Sequence, residues 1–171
     1  MGDEGVAAVA DAGPLIHLYE IGLLDLLRLF RAIQVPDVVW QEATRGGRVP
    51  AAALKQLRHC RKHPDPVMPE PQNAALAHLH GGERAALHLC ARLQIPLLLT
   101  DDLAAREAAR RLGVTPVGSV GIVAKGHHSG LIDLAEAEAA LGRLYDTSTL
   151  FVARALIDQA IFALRGQGRP V

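Results

Sequence analysis

Four short apolar runs, each followed by a helix-starting signal, constrain this chain more than any other feature. They are residues 6–10 (Val-Ala-Ala-Val-Ala), 32–35 (Ala-Ile-Gln-Val), 97–100 (Leu-Leu-Leu-Thr) and 114–117 (Val-Thr-Pro-Val). A run this short, without polar alternation, suits a strand buried on both faces. Pro14 opens a helical stretch through Leu15, Ile16, Leu18 and Tyr19, and residues 23–30 make a second, strongly apolar one. Pro36-Asp37 starts a helix carrying Val38, Val39, Trp40 and Glu42, which Gly46-Gly47 ends. Residues 82–93 and 103–112 are helical, and Ser119 caps a helix to about residue 128. Strands thus alternate with helices until residue 117, the pattern of a parallel sheet covered by helices on both faces.

Two stretches read less regularly. Residues 50–60 look helical with a basic far end, and residues 63–72 form a Pro-rich loop with room for a short strand at Val67-Met68. From Asp133 onward the spacing is helical, with Leu134, Leu141, Leu144 and Tyr145 on one face and Leu150, Leu156, Ile157, Ile161 and Leu164 on another. The expectation is one domain over residues 1–171, with a core of about 6–132, C-terminal helices of about 133–165 and a frayed tail at Gly168-Arg169-Pro170.

Composition narrows the function. Lys plus Arg equals Asp plus Glu, so the net charge is zero, which argues against a basic, non-specific nucleic-acid binder. Aromatics make up only 4% of the chain, too few for base stacking to be a main binding mode. Cys60 and Cys90 are too few for a disulfide framework and suit a reducing compartment. No signal-peptide pattern follows the acidic start Met1-Gly2-Asp3-Glu4, and no apolar run reaches membrane-spanning length. The expected location is cytoplasmic, without a membrane partner.

Acidic residues mark the ends of these elements. Asp11 closes the first run, Glu42 lies on the helix after Pro36, Glu83 follows Gly81-Gly82, and Asp101-Asp102 close the third run. In an open parallel sheet, residues beyond the carboxyl ends of the strands share one crevice. Two carboxylates 4 Å apart there repel by roughly 4 kcal/mol at an effective dielectric of 20. Protons or cations must relieve that, and an all-oxygen donor set suits Mg²⁺ or Mn²⁺. Such ions serve phosphodiester chemistry.

The chain resembles PIN domains at this point. Val9-Ala10-Asp11-Ala12-Gly13-Pro14-Leu15-Ile16 is similar to their first motif and Val35-Pro36-Asp37-Val38-Val39-Trp40-Gln41-Glu42 to their second. Gly82-Glu83-Arg84-Ala85-Ala86-Leu87 resembles the third and Leu98-Leu99-Thr100-Asp101-Asp102 the fourth. Arg106, the stretch 117–122 and Gly130-Leu131-Ile132 match a bacterial and archaeal branch, VapC-like, often found as the toxin of toxin–antitoxin pairs. The resemblance covers residues 6 to about 132. It implies a three-layer α/β/α domain with a helical C-terminal extension, and a Mg²⁺- or Mn²⁺-dependent endoribonuclease leaving a 5′-phosphate and a 3′-hydroxyl.

The implied catalytic and metal-holding set is Asp11, Glu42, Glu83 and Asp101, with Asp102 a second candidate for the fourth place. The spacing does not choose between the adjacent pair; one would face the metal and the other would cap the helix starting at Leu103. Arg106, one turn past Asp102, is the candidate contact to RNA. Two departures stand out. Gly13 replaces the Ser or Thr that PIN proteins often carry there, which would weaken the site, and Glu83 is longer than the usual Asp. The implied partners are RNA, a cognate antitoxin and a second copy of the chain. The apolar excess in residues 15–30 and 150–164 independently points to a homodimer.

Plainer readings compete. Asp11 and either Asp101 or Asp102 suit helix caps, Glu83 suits a first helical turn, and Glu42 suits a surface. His59, Cys60, His63, His78 and His80 match no zinc spacing and read as incidental. An interaction module of the same fold with decayed catalysis is the alternative function. A receiver-type signalling domain fits poorly, because its acids would stand elsewhere.

Overall fold

The computed structural model describes residues 5–65 and 74–166. Its strands are β1 (Ala8–Ala10), β2 (Ile33–Pro36), β3 (Cys60–His63), β4 (Leu97–Leu99) and β5 (Thr115–Val117). They form one parallel sheet in the order β3-β2-β1-β4-β5. The helices are α1 (Ala12–Glu20), α2 (Asp37–Thr44), α3 (Ala51–Gln56), α4 (Ala74–Ala77), α5 (Gly81–Leu93), α6 (Leu103–Arg111), α7 (Ser119–His128), α8 (Leu134–Asp146) and α9 (Arg154–Gly166). The chain builds outward from β1 through β2 to β3, then returns to place β4 on the other side of β1. That reversal opens a crevice beyond the carboxyl ends of β1 and β4.

The period-two geometry of β1 divides the core. Ala8 and Ala10 pack in one layer with Ile33, Leu99, Leu15, Ile122 and Leu141. Val9 turns to the other layer with Leu98, Ala86, Leu89, Ala105 and Ala109. Small side chains in β1 let both helical layers approach closely. Ala137, Ala140, Leu141, Leu144, Ile157 and Leu164 belong to the same cluster as Ala8 and Ala10. The C-terminal helices therefore complete one layer of the α/β/α arrangement. Leu141 has no exposed surface, and truncating it to Ala would cost about 3 kcal/mol.

Several local expectations differ from the structure. Residues 60–63 form the edge strand β3, paired with β2 from Ile33↔Cys60 to Pro36↔His63, where the sequence reads as the end of a helix. Its residues are Cys-Arg-Lys-His, so no apolar pattern betrays a strand; backbone pairing holds it, and Arg61 and Lys62 keep the outer edge charged. The strand expected at Val67-Met68 lies outside the described residues. Helix α3 stops at Gln56, and residues 24–29 form a 3₁₀ helix. The first strand begins only at Ala8, with Val6 57% exposed. Ser119 is the first residue of α7 and Gly118 its cap. The apolar residues of 15–30 are largely core, with Leu15, Leu18, Leu26, Leu27 and Phe30 buried. The C-terminal stretch leaves more of its large apolar side chains in water, notably Phe151, Leu156 and Phe162. Among the described residues, no helix is long and apolar enough to cross a membrane.

Candidate active site

Asp11 leaves β1 in extended conformation and caps α1. Its Oδ1 accepts from the Ala12 amide at 2.8 Å, and its Oδ2 accepts from the Thr100 hydroxyl at 3.0 Å. Thr100 follows β4, so this bond ties together the ends of the two central strands. Asp11 is 7% exposed. Burial pushes its carboxyl up to about 6, against the two hydrogen bonds, and the charges of Glu83 and Glu42 push the same way.

Glu42 reaches this region from the last turn of α2. It meets the start of α5 at Gly82, where a β-carbon would lie 2.5 Å from its Oε2. Gly82 is thus a close-approach glycine, whereas a β-carbon on Gly81 would meet nothing within 4 Å. Glu83, in the first turn of α5, accepts from the His80 amide at 2.8 Å through Oε2. Burial raises its pKa, and the charges of Asp102 and Glu42 add to that. Asp11, Glu42 and Glu83 line one cleft of about 660 Å³ together with Gly13, His17, Arg45, Arg48 and His80.

The adjacent acids separate. Asp102 caps α6, its Oδ1 accepting from the Ala105 amide at 2.8 Å, and its charge is felt at Glu83. Asp101 is held differently. Its Oδ1 accepts from the Ser119 amide at 2.7 Å, and its Oδ2 accepts from the Ser119 hydroxyl at 2.6 Å and from Nδ1 of His17 at 2.7 Å. Gly118 permits this approach, since a β-carbon there would lie 2.7 Å from Asp101 Oδ1. Both Asp101 and Asp102 lie outside the lining of the cleft.

Arg106 is not in the cleft either. Its Nη1 donates to the Thr100 carbonyl at 3.2 Å, and it lines a separate, apolar groove with Leu103, Val117, Val120, Phe151 and Leu156. The guanidinium groups that do border the acidic cleft are Arg45 and Arg48, both exposed, from the turn after α2. They escaped notice in the sequence because Arg45-Gly46-Gly47-Arg48 reads only as a helix terminator. His17 escaped because it sits within an apolar helical pattern. Of the scattered histidines, His80 lines the cleft, whereas His59 contacts the Leu27 carbonyl and His63 the side chain of Gln34.

The donor set of the cleft is of the kind a hard divalent cation takes: anionic oxygens whose repulsion an ion would offset. Each carboxylate oxygen has two acceptor sites. Hydrogen bonding at Asp11 and Glu83 therefore leaves room for a ligand. Among the described residues, no three His, Cys, Asp or Glu side chains stand close enough to enclose an ion. Mg²⁺ is commonly bound through one or two carboxylates and keeps several waters.

The structure is thus a parallel α/β/α sheet with carboxylates at its central crevice. A family model described as PIN domain matches residues 7–165, and the chain belongs to that family. PIN domains are in general nucleases that use divalent metal ions, so the fold here is a nuclease fold. Nothing among curated proteins or solved structures matches the chain.

Proposed function

We propose that the protein is a metal-dependent endoribonuclease and the toxin half of a toxin–antitoxin pair. The observation that carries the reading is the gathering of Asp11, Glu42 and Glu83 in one cleft, with burial and mutual repulsion raising the pKa of Asp11 and Glu83. One or two of these carboxylates would hold a hydrated Mg²⁺ or Mn²⁺, with the charge of Asp102 added beside Glu83. Bound there, the ion supplies an activated water and a counter-charge for the phosphoryl oxygens.

The rest of the work belongs to the chain. Asp11 is immobilised through both oxygens, so it presents a fixed anionic site at the centre of the crevice. Arg45 and Arg48 on the rim offer cations to the phosphates flanking the reacting one. With few aromatic residues, the grip is on the backbone of the nucleic acid and not on its bases. The preference for RNA and the toxin role rest on the resemblance of the motifs.

The test is cleavage of a long RNA by the purified protein with Mg²⁺ or Mn²⁺ and with chelator. We expect activity only with metal, and a loss of ~100-fold or more in Asp11→Asn. Metal-independent cleavage, or an active Asp11→Asn, overturns the reading. A second reading, a partner-docking module of the same fold, is favoured by one observation: Phe151 is fully exposed beside the apolar groove. A protein inert in every metal would decide for it.

A further inference from the structure

His17 sits in the second turn of α1, 9% exposed, and lines the acidic cleft. The ring is held with unusual firmness for a side chain at a cleft wall. Asp101 accepts its Nδ1 at 2.7 Å while taking two more bonds from the amide and hydroxyl of Ser119, at the start of α7. Three donors on one carboxylate fix its position and, through it, the plane of the imidazole. A carboxylate can only accept, so Nδ1 carries the hydrogen. In a neutral ring the lone pair then lies on Nε2, the tautomer that an Asp partner imposes on a working histidine. Among the described residues Nε2 has no hydrogen-bond partner.

Gly13 lies against this pair. A β-carbon on Gly13 would be 3.5 Å from Asp101 Oδ2 and 3.5 Å from His17 Cε1. A serine there would bring a hydroxyl within reach of Asp101. With glycine, Oδ2 of Asp101 is shared by His17 and the Ser119 hydroxyl.

A lone pair at the wall of a phosphodiester cleft selects its contact. Phosphoryl oxygens are acceptors and cannot donate to it; a hydroxyl can. We propose that Nε2 of His17, positioned by Asp101 and Ser119, accepts a hydrogen bond from a hydroxyl at the reacting phosphate. That hydroxyl is either the attacking water or the ribose 2′-hydroxyl. The contact orients the group, and no bond is made or broken at His17. This assignment rests on the nuclease reading above and adds a residue outside the acidic set.

The test uses His17→Asn, whose amide nitrogen takes the place of Nδ1 and keeps the donor to Asp101 while removing Nε2. With wild-type cleavage established, we expect kcat to fall by ~100-fold, the scale of a lost orienting contact, and KM to stay within about twofold. The melting point and its response to Mn²⁺ should not change. A substrate with a single 2′-deoxy nucleotide at the cleaved bond separates the sources: a defect that persists names the water, and one that vanishes names the ribose. Independently of activity, ¹⁵N imidazole spectra should show the Nδ1–H form in wild type and its loss in Asp101→Asn. Cleavage by His17→Asn within twofold of wild type, or an Nε2–H ring in wild type, overturns the assignment. A wild type inert with every metal removes the nuclease reading and this assignment with it, whatever the spectra show.

Discussion

Gly82 and Glu42 are in contact across two helices: a β-carbon on Gly82 would stand 2.5 Å from Oε2 of Glu42 and 3.1 Å from its Cδ. The Glu42 carboxylate therefore lies against the start of α5 only because residue 82 has no side chain. Gly82→Ala should displace the Glu42 carboxylate, which is the far end of a flexible side chain, and leave the backbone in place. Alanine also favours a helix by about 1 kcal/mol over glycine. We expect a melting point equal to or above that of wild type, together with a weakened response to Mn²⁺ and at least ~10-fold slower cleavage. Calorimetry and the RNA assay measure the two halves; a stable variant with full metal response would show that Glu42 is not needed.

Asp11 links stability to pH. Its pKa is raised from 3.8 to about 6 in the folded protein. The fold therefore holds the proton more tightly than the unfolded chain does, and stability falls as pH rises from about 4 through about 6. The difference is worth about 3 kcal/mol. Asp11→Asn removes the charge, and its amide can still accept from Ala12 and donate to the Thr100 hydroxyl. Melting at pH 7.5 without metal should rise by about 6–12 °C, and the decline between pH 4 and 6 should flatten. An unchanged pH profile in Asp11→Asn would place the linkage elsewhere.

Divalent ions should reverse the same penalty. A ligand that binds only the native state stabilises it by about 1.4 kcal/mol at ten times its Kd. Millimolar Mg²⁺ or Mn²⁺ should raise the melting point of wild type at pH 7.5, and the shift should shrink in Asp11→Asn and in Glu83→Gln. Thermal melts over a metal titration check this. No shift with either ion would remove the metal site.

The apolar groove bears on assembly. Phe151 is fully exposed, and Leu103 and Phe162 are about as exposed, at 81% and 80%. Isolated apolar side chains are ordinary, but Leu103, Phe151 and Leu156 border one groove. We expect a homodimer at micromolar concentration, weakened in Phe151→Asp without a lower monomer melting point. Light scattering across a concentration series decides it. A mass that stays monomeric would rule out self-association through this face.

The sequence by itself determined the strand–helix alternation, the parallel sheet and the ends at which the acids stand. These follow from local physics: short apolar runs are buried on both faces, and proline, glycine and acid clusters stop one element and start the next. Asp11, Glu42 and Glu83 were legible for the same reason, as each lies at an element boundary. Strand β3 was not, because the polar Cys60-Arg61-Lys62-His63 is held by backbone pairing to β2, and backbone groups are alike in every sequence. Nor could spacing separate Asp101 from Asp102. That choice depends on what lies opposite each carboxylate, and the partners come from distant parts of the chain. His17 arrives on α1 and Ser119 on α7 to occupy Asp101, while Asp102 turns back to cap α6. Arg106 went the same way, to the Thr100 carbonyl and away from the cleft. Element boundaries are set by neighbours in sequence, but the use of a carboxylate is set by neighbours in space, and only the folded chain supplies those.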